Sequence, residues 1–488
     1  MMARRKRVER LLRHKVVGRG SNGAAKRPSG RASMYKKKYK IHFVGIGGIG
    51  MSGIAELLLR LGYVVSGSDI KSSDITQRLE RLGGSIYQGH APGQVAGADI
   101  VVTSNAIGKG NPEVLEARQN LIPVIHRAEM LAELMRFKYG IAIAGAHGKT
   151  STTSIVAAIL DEGGFDPTVV IGGKLKSIGH NAVLGQGDFI VAEADESDGS
   201  FLKMSPSIAV VTNIDMEHLD FYKGMDEIKD SFARFIDGMP FYGLAVLCFD
   251  NPHVRELIPK MTKRFITYGV TPGADLKVDN IAFDGMDTMF DVSYYGKPLG
   301  KVELSLAGAH NALNAAAGIV VGLALEMPFD VIVASLKKQT GVARRLEIKG
   351  ETGGAMVLDD YAHHPTEIET TLNAVHESFP KRRKIVLFQP HRYSRTQALF
   401  DEFASVFNKA DALYVLPVYS AGEAIIPGVK SEILCDAIRA RGHQRVIYVE
   451  SMEEAADCLR KEARKGDVIL TLGAGDVWKA GELCICND

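Results

Sequence analysis

Cysteine is scarce in this sequence. The 488 residues include only five cysteines, which are too few and too scattered for a disulfide framework in a chain of this length. Cys484 and Cys486 could supply two thiolates to a metal, but a zinc site needs further Cys or His ligands nearby. We therefore predict reduced cysteines and a cytoplasmic location.

The sequence also lacks a long apolar segment. No run reaches the roughly 18 apolar residues that a membrane-spanning helix requires, and no apolar segment follows the basic start in the manner of a signal peptide. With 46% hydrophobic and 24% charged residues, the composition is that of an ordinary globular protein. We predict a protein without a membrane span.

Acidic residues are scarce at one end only. Residues 1–40 contain 15 Lys or Arg and a single acid, Glu9. The other 448 residues contain 44 basic and 56 acidic side chains, a net charge of −12, which argues against a body that binds nucleic acid. We predict that residues 1–37 form a disordered basic extension, and that a chain beginning at Met34 would keep full activity.

Alternating elements dominate the rest of the chain. From Lys40 onward, short β-branched runs alternate with helical patterns, which indicates an α/β fold built from βαβ units with parallel sheets. At roughly 150 residues per domain, the length suggests about three domains. Each of three blocks opens with a strand that runs into a loop rich in Gly or His, where open α/β sheets bind ligands. The predicted domains are residues 38–137, 138–341 and 342–488.

The first block carries a glycine-rich turn, Gly45-x-Gly47-x-x-Gly50, between a predicted strand and a helix placed at 51–61. The glycines permit a tight turn and let the backbone approach a diphosphate at the helix N-terminus. Asp69 follows a second predicted strand, near where a ribose-binding acid would lie. By itself the pattern indicates either NAD binding or a tight turn without a ligand.

The second block carries a shortened phosphate loop, Gly145-x-x-Gly148-Lys149-Thr150. The standard pattern has glycine where this chain has Ile143. The chemistry survives, because backbone N–H groups can hold phosphate oxygens, Lys149 can reach the β- and γ-phosphates, and Thr150 can bind Mg²⁺. A dehydrogenase needs no phosphate loop, and a plain ATPase needs no dinucleotide-type turn. The glycine-rich turn and the phosphate loop together indicate that the protein binds ATP and a second, diphosphate-bearing substrate.

Further candidates lie at predicted strand ends and helix starts. Glu193 ends a strand, and its carboxylate suits Mg²⁺. His218 either binds a second metal or is an ordinary hydrogen-bonding residue. Asn311 and Asn314 open a predicted helix at 312–324, where adenine contacts and helix capping are both open interpretations. Arg345 suits phosphate contact, or it forms a surface pair with its neighbour.

Taken together, these residues resemble the Mur ligase family over about residues 38–480. The turn at 45–53 is most similar to that of the alanine-adding member. The resemblance implies three domains: an N-terminal Rossmann-like UDP-binding domain, a central phosphate-loop ATPase domain with a mainly parallel sheet, and a C-terminal Rossmann-like domain. Further matching segments are residues 145–151, 193–198, 359–367 and 389–395.

The resemblance also implies a reaction. ATP and Mg²⁺ would be used to join L-alanine to the carboxylate of UDP-N-acetylmuramate in peptidoglycan synthesis, through an acyl phosphate that the amino group attacks. Such chemistry depends mainly on positioning and charge neutralisation. The alternatives are a related ligase for another amino acid or a peptide, and an NAD-dependent oxidoreductase with a degenerate second loop. The oligomeric state, monomer or dimer, stays open.

Site residues follow from the resemblance position by position. Lys149 would neutralise the transferring phosphate, Thr150, Glu193 and His218 would bind the metal, and Arg345 would contact phosphate from the domain junction. The remaining ATP contacts would be Gly145, Ala146, His147, Gly148, Ser151, His310, Asn311, Asn314 and Asp360. The UDP part would be held by Gly47, Gly48, Ser52, Asp69, His90 and Ser104, and the muramyl carboxylate and alanine by Tyr361, His363, Arg392 and Arg395.

Overall fold

The computed structural model describes residues 39–108, 110–172, 182–218 and 221–485. The predicted basic extension at 1–37 and Cys486 lie outside these ranges. Within them, no helix combines the length and the apolar character needed to cross a membrane.

The first domain is a five-stranded sheet in the order β3-β2-β1-β4-β5 with every described pairing parallel. Its central strand is almost fully buried, because helices cover both faces of the sheet. The carboxyl ends of β1, β2 and β4 meet at one edge, where the glycine-rich turn lies. The strands are β1 (Lys40–Val44), β2 (Val64–Asp69), β3 (Ser85–Gln88), β4 (Ile100–Thr103) and β5 (Val124–His126), and the helices are α1 (Ile49–Arg60), α2 (Asp74–Arg81), α3 (Pro112–Gln119) and α4 (Arg127–Met135).

The central domain is built on a ten-stranded sheet in the order β15-β14-β13-β12-β11-β10-β6-β9-β7-β8. Pairings from β13 back to β9 and β7 are parallel, while β8, β14 and β15 pair antiparallel. The strands are β6 (Tyr139–Ala144), β7 (Thr168–Val170), β8 (Ala182–Val183), β9 (Phe189–Glu193), β10 (Ile208–Val211), β11 (Leu244–Cys248), β12 (Arg264–Gly269), β13 (Leu276–Asp284), β14 (Asp287–Tyr294) and β15 (Lys297–Leu304).

Among the described residues of the central domain, five α-helices cover this sheet. Two of them, α5 and α8, pack against each other on one face, where Ile155, Ile159 and Ile319 are fully buried. Burying such a side chain contributes about 1.5–3 kcal/mol to folding. This contact fixes α8 beside the phosphate loop that starts α5. The helices are α5 (Lys149–Glu162), α6 (Met225–Asp237), α7 (Pro252–Leu257), α8 (Ala309–Ala324) and α9 (Phe329–Lys337).

The C-terminal domain has a six-stranded sheet in the order β16-β17-β21-β18-β19-β20, in which only the β16–β17 pairing is antiparallel. The strands are β16 (Glu347–Thr352), β17 (Ala355–Asp360), β18 (Lys384–Phe388), β19 (Ala412–Val415), β20 (Val446–Tyr448) and β21 (Val468–Leu472). The helices are α10 (Pro365–Ser378), α11 (Tyr393–Ala398), α12 (Phe400–Phe403), α13 (Ser431–Ala440), α14 (Met452–Glu462) and α15 (Trp478–Ile485).

The predicted α/β fold with three domains is confirmed, with differences at element ends. The helix predicted at 312–324 begins at Ala309, so His310 and Asn311 lie in its first turn. Asp359 and Asp360 are the last residues of β17, because parallel pairing with β21 continues to Asp360. The helix predicted at 51–61 runs from Ile49 to Arg60.

Candidate active site

The phosphate loop joins β6 to α5 and requires glycine at two positions. Gly145 has φ +137°, and a Cβ there would lie 2.0 Å from Thr212 Oγ1. Gly148 has φ +80°, and a Cβ there would lie 2.8 Å from Asn314 Oδ1. The left-handed region disfavours residues with a Cβ. The loop therefore lies close against β10 and α8, with its backbone accessible to a phosphate.

Residues that follow β10 hold the centre of this loop. The His147 N–H donates to Asn213 Oδ1 at 2.8 Å, and the Asn213 amide returns a hydrogen bond to His147 O at 3.0 Å. Thr212 Oγ1 donates to the same carbonyl at 2.7 Å. Three hydrogen bonds to one residue fix the curvature of the loop, so its N–H groups need little reorganisation to receive an anion.

Lys149 extends back under the loop. Its ammonium donates to Gly145 O at 2.5 Å, Ala146 O at 3.1 Å and Glu196 Oε1 at 2.8 Å. Burial disfavours the ammonium, but the carboxylates of Glu196 and Asp195 outweigh it and raise the pKa of Lys149. The side chain is therefore a permanent cation beside the loop.

A carboxylate-rich group next to Lys149 could hold a metal. Glu196, Glu217 and His218 each offer one ligand atom, all within 4.8 Å of one another. Glu196 Oε2 is buried and has no hydrogen-bond partner among the described residues, although buried carboxylate oxygens are normally paired. Oxygen donors with an unpaired oxygen fit a hard cation such as Mg²⁺. His218 has φ +57°, an uncommon backbone conformation for a residue other than glycine.

Glu193 offers a second position for a cation. It is the last residue of β9, its Oε1 accepts the Gly172 N–H at 2.8 Å, and Thr150 interacts with its carboxylate. Burial raises the pKa of Glu193, and the nearby Lys149 only partly offsets this effect. Thr150 and Glu193, two of the three predicted metal ligands, thus lie together.

A cavity of about 410 Å³ lies between the phosphate loop, α8 and the C-terminal domain. It is lined by the sequence-predicted residues His147, Gly148, Thr150, Ser151, His310, Asn311, Asn314, Arg345 and Asp360.

Two buried amides shape one wall of this cavity. Asn314 accepts a hydrogen bond from Thr152 Oγ1 at 3.1 Å and donates to Asn311 Oδ1 at 3.0 Å. Asn311 in turn donates to Ala307 O at 2.8 Å. Burial and the neighbouring Arg345 lower the pKa of His310 to about 4, so its ring is neutral at pH 7.

The opposite wall comes from the C-terminal domain. Glu367 Oε1 lies 3.9 Å from Arg345 Nη1, and Glu367 Oε2 lies 3.2 Å from His363 Nδ1. Burial opposes ionisation, yet His363, His147 and Arg345 hold the pKa of Glu367 well below its usual range. Burial raises the pKa of Asp360 to about 6 despite Arg345. The cavity is thus lined by charges of both signs.

His147 connects the central and C-terminal domains. Its Nε2 is 3.0 Å from Asp215 Oδ2, which also accepts a hydrogen bond from Thr366 Oγ1 at 3.3 Å. Burial disfavours the imidazolium, but Asp215 and Glu367 raise the pKa of His147 to about 10. A charged His147 therefore bridges acidic side chains from both domains.

The residues predicted to hold the UDP part lie at the edge of the first sheet. Asp69 Oδ2 accepts the Gly47 N–H at 2.8 Å, so this carboxylate supports the glycine-rich turn from within. Ser52 is buried in α1 and donates to Ile49 O at 3.0 Å. Gly48 caps α1, and the Ser104 carbonyl accepts the Ile107 N–H at 3.0 Å.

Contacts across the domain boundary bring this edge towards the phosphate loop. Arg127 Nη2 lies 2.7 Å from Asp195 Oδ2. Asn105 Nδ2 donates to Asp198 Oδ2 at 2.7 Å, and His126 Nε2 lies 3.3 Å from the same oxygen. Asp195 and Asp198 belong to the acidic segment that follows β9. The edge of the first sheet therefore lies next to the segment after β9, which also contacts Lys149 of the phosphate loop.

The four residues predicted to contact the muramyl carboxylate and alanine lie on the C-terminal domain. The Tyr361 ring has the guanidinium of Arg345 5.5 Å from its centre. His363 lies edge-on to Tyr361, with ring centres 5.3 Å apart. Arg395 Nη1 donates to His391 O at 3.3 Å, and Arg392, at φ +73°, is exposed just before α11.

Sequence comparison matches all three parts of the chain to one family. Residues 40–139 match the Mur ligase family catalytic domain, residues 143–322 the Mur ligase middle domain, and residues 344–475 the Mur ligase glutamate ligase domain. The chain belongs to the Mur ligase family. Enzymes of this family are ATP-dependent and usually require Mg²⁺.

Individual relatives are similar over nearly their whole length. The UDP-N-acetylmuramate–L-alanine ligase of Desulfatibacillum aliphaticivorans is 64% identical over 449 residues, which cover 92% of this chain and 98% of that protein. The ligase of the same name from Desulfosudis oleivorans is 60% identical with the same coverage. The crystal structure of UDP-N-acetylmuramate-alanine ligase from Thermotoga maritima matches with a TM-score of 0.78 at 29% identity, covering 91% of this chain and 98% of that one.

Four acidic residues that support the predicted site of this Mur ligase were not predicted. Glu196 and Glu367 lie inside segments that carried the family resemblance, and Asp215 and Glu217 lie just before the predicted His218, but no role was assigned to them. Their types and their positions after strands were the available signal. Glu113, which contacts His90, lies outside those segments, and only the fold reveals it.

Proposed function

We propose that this Mur ligase joins L-alanine to the carboxylate of UDP-N-acetylmuramate at the expense of ATP, as a step in peptidoglycan precursor synthesis in the cytoplasm. The observation that carries the proposal is the name shared by relatives 54–64% identical over more than 90% of the chain. The intact phosphate loop and its acidic neighbours supply the chemistry that such a reaction requires.

ATP is proposed to occupy the cavity beside the phosphate loop. Lys149 neutralises charge on the transferring phosphate, a stabilisation that grows towards the transition state. Thr150 and Glu193 are proposed to hold one Mg²⁺ and His218 a second cation, each of which would neutralise phosphate charge when bound. His310, Asn311, Asn314, Arg345 and Asp360 line the same cavity and are proposed to position the nucleotide.

The two other substrates are proposed to bind on either side of this site. The glycine-rich turn and the side chains Ser52, Asp69, His90 and Ser104 hold the UDP part. Tyr361, His363, Arg392 and Arg395 hold the muramyl carboxylate and alanine. Because a carboxylate is a poor electrophile, its activation as an acyl phosphate gives the amino group a leaving group to displace. The proposed domain boundaries stay at 38–137, 138–341 and 342–488.

An amino-acid panel tests the proposal. Purified protein is given ATP, Mg²⁺ and UDP-N-acetylmuramate with each amino acid in turn, and phosphate release is measured. We expect release that requires all components, with L-alanine giving the highest kcat/KM. Faster turnover with another amino acid or with a peptide would overturn the alanine assignment. NAD reduction without phosphate release would overturn the ligase assignment.

A further inference from the structure

A buried carboxylate lies between two imidazoles at the edge of the first sheet. Glu113, in the first turn of α3, places Oε2 2.7 Å from His42 Nε2 and Oε1 2.8 Å from His90 Nδ1. Ser68 Oγ donates to Glu113 Oε2 at 2.8 Å and lies 3.0 Å from His90 Nδ1. Glu113 and His42 are fully buried, whereas His90 is partly exposed.

The proton positions on Glu113 and His90 follow from their hydrogen bonds and from the ionisation of Glu113. Burial opposes ionisation of Glu113, but hydrogen bonds from His42, Ser68 and His90 outweigh it and lower its pKa. An ionised carboxylate only accepts hydrogen bonds. His90 must then carry its proton on Nδ1 and direct it at Glu113. Nε2 is left as the ring atom of His90 that can meet a ligand.

The position of His90 relates this ring to the glycine-rich turn. Ser68 ends β2 next to Asp69, and its carbonyl accepts the N–H groups of Gly45 at 2.8 Å and Ile46 at 2.9 Å. The same residue therefore contacts the turn through its backbone and His90 through its side chain. His90 and the turn therefore meet at the same strand end.

We propose that Glu113 is a positioning residue, which fixes the tautomer and orientation of His90 so that its Nε2 contacts the UDP part of the substrate. The inference rests on the proposed function, because it assumes that this edge binds a uridine nucleotide. A carboxylate that orients an imidazole for binding or catalysis is a recurrent arrangement in proteins. Removing its charge should act through His90 and not on the ATP site.

A double-mutant cycle separates positioning from simple structural support. We expect Glu113→Gln to weaken binding of UDP-N-acetylmuramate about tenfold, measured by calorimetry, with ATP affinity unchanged. His90→Ala should weaken binding to a similar degree. In the His90→Ala background, Glu113→Gln should cause no further loss, because its effect passes through the missing ring.

The matched control lies on the same helix. Glu116 is in α3, and its side chain accepts a hydrogen bond from Asn120 Nδ2 at the surface, so Glu116→Gln should leave substrate binding unchanged. Should Glu113→Gln fail to fold, Ser68→Ala provides a milder test, because it removes one hydrogen bond to Glu113 and leaves the carboxylate in place. It should weaken UDP-N-acetylmuramate binding in the presence of His90 and not in its absence.

Nitrogen chemical shifts supply a readout independent of binding. The ring nitrogens of His90 in the free protein should show the Nδ1-protonated form, and Glu113→Gln should shift them towards a mixture of tautomers. A lower thermal midpoint with unchanged substrate affinity would show that Glu113 is only structural and overturn the inference. A wild-type protein that binds neither UDP nor UDP-N-acetylmuramate would instead overturn the proposed function.

Discussion

At the scale of single residues, Lys149 carries the clearest expectation. Its ammonium is held by two loop carbonyls and Glu196, so it is placed where a transferring phosphate would gather charge. Lys149→Ala should lower kcat on the order of 100-fold or more, measured by phosphate release. Lys337→Ala is the control, since the Lys337 side chain is exposed and forms a surface pair with Glu303. Near-normal turnover of a folded Lys149→Ala protein would show that Lys149 does not stabilise the transferring phosphate.

His147 should make stability depend on pH. Its folded pKa of about 10 lies above the ordinary value of 6.5, so its contribution is complete below about pH 6.5 and is lost as the pH rises towards 10. The stability difference between the wild type and His147→Gln should therefore shrink between pH 7 and 10, by at most about 1.4 kcal/mol per pH unit. Urea unfolding at several pH values measures it. A difference that grows over this range would contradict the assigned charge.

At the scale of elements, the phosphate loop depends on space as well as on backbone angle. At Gly145 a Cβ would meet Thr212 Oγ1 at 2.0 Å and the Asn213 backbone at 3.0 Å, whereas at Gly164, with φ +75°, nothing lies within 4 Å. Gly164→Ala should cost only the left-handed strain of roughly 1–2 kcal/mol. Gly145→Ala should cost more and abolish ATP binding. Thermal unfolding and nucleotide titration of the two variants test this, and equal behaviour would show that strain alone matters.

The elements that carry the candidate site were predictable because their signals are local. An apolar strand followed by glycines and a helix pattern placed β1 with α1 and β6 with α5, and polar residues after β9, β10 and β18 fell at one edge of each sheet. The antiparallel strands β14 and β15 were not predicted, because the predicted strands were those that run into polar loops. The partners of His90 could not be found locally, since Glu113 follows it by 23 residues.

At the scale of the whole molecule, contacts between domains escaped prediction. His147, Asp215 and Glu217 come from the central domain, whereas Thr366 and Glu367 come from the C-terminal domain. Each lies in a conspicuous segment, but nothing in a single sequence states which segments face each other. Opposite charges at this boundary stabilise the contact between the two domains. This contact places C-terminal residues beside the phosphate loop.

This arrangement gives a prediction for Arg395, which lies far along the chain from Lys149. Burial lowers the pKa of Arg395, whereas the carboxylates of Glu217 in the central domain and of Glu367 favour its charged form. The guanidinium therefore faces the boundary between the domains. If Arg395 binds the muramyl carboxylate or alanine, Arg395→Ala should leave the Kd for ATP nearly unchanged and lower kcat/KM for the other two substrates on the order of 100-fold, as expected when an interaction made in the transition state is lost.

Arg392→Ala should act in the same direction. Arg382→Ala is the control, because Arg382 is exposed and its guanidinium lies 4.9 Å from the centre of the Phe379 ring. Nucleotide titration and steady-state kinetics on the three variants give the result. Normal ligation by both Arg392→Ala and Arg395→Ala would mean that the C-terminal domain does not hold these substrates through this segment, whereas loss of ATP binding would place Arg395 in the nucleotide site.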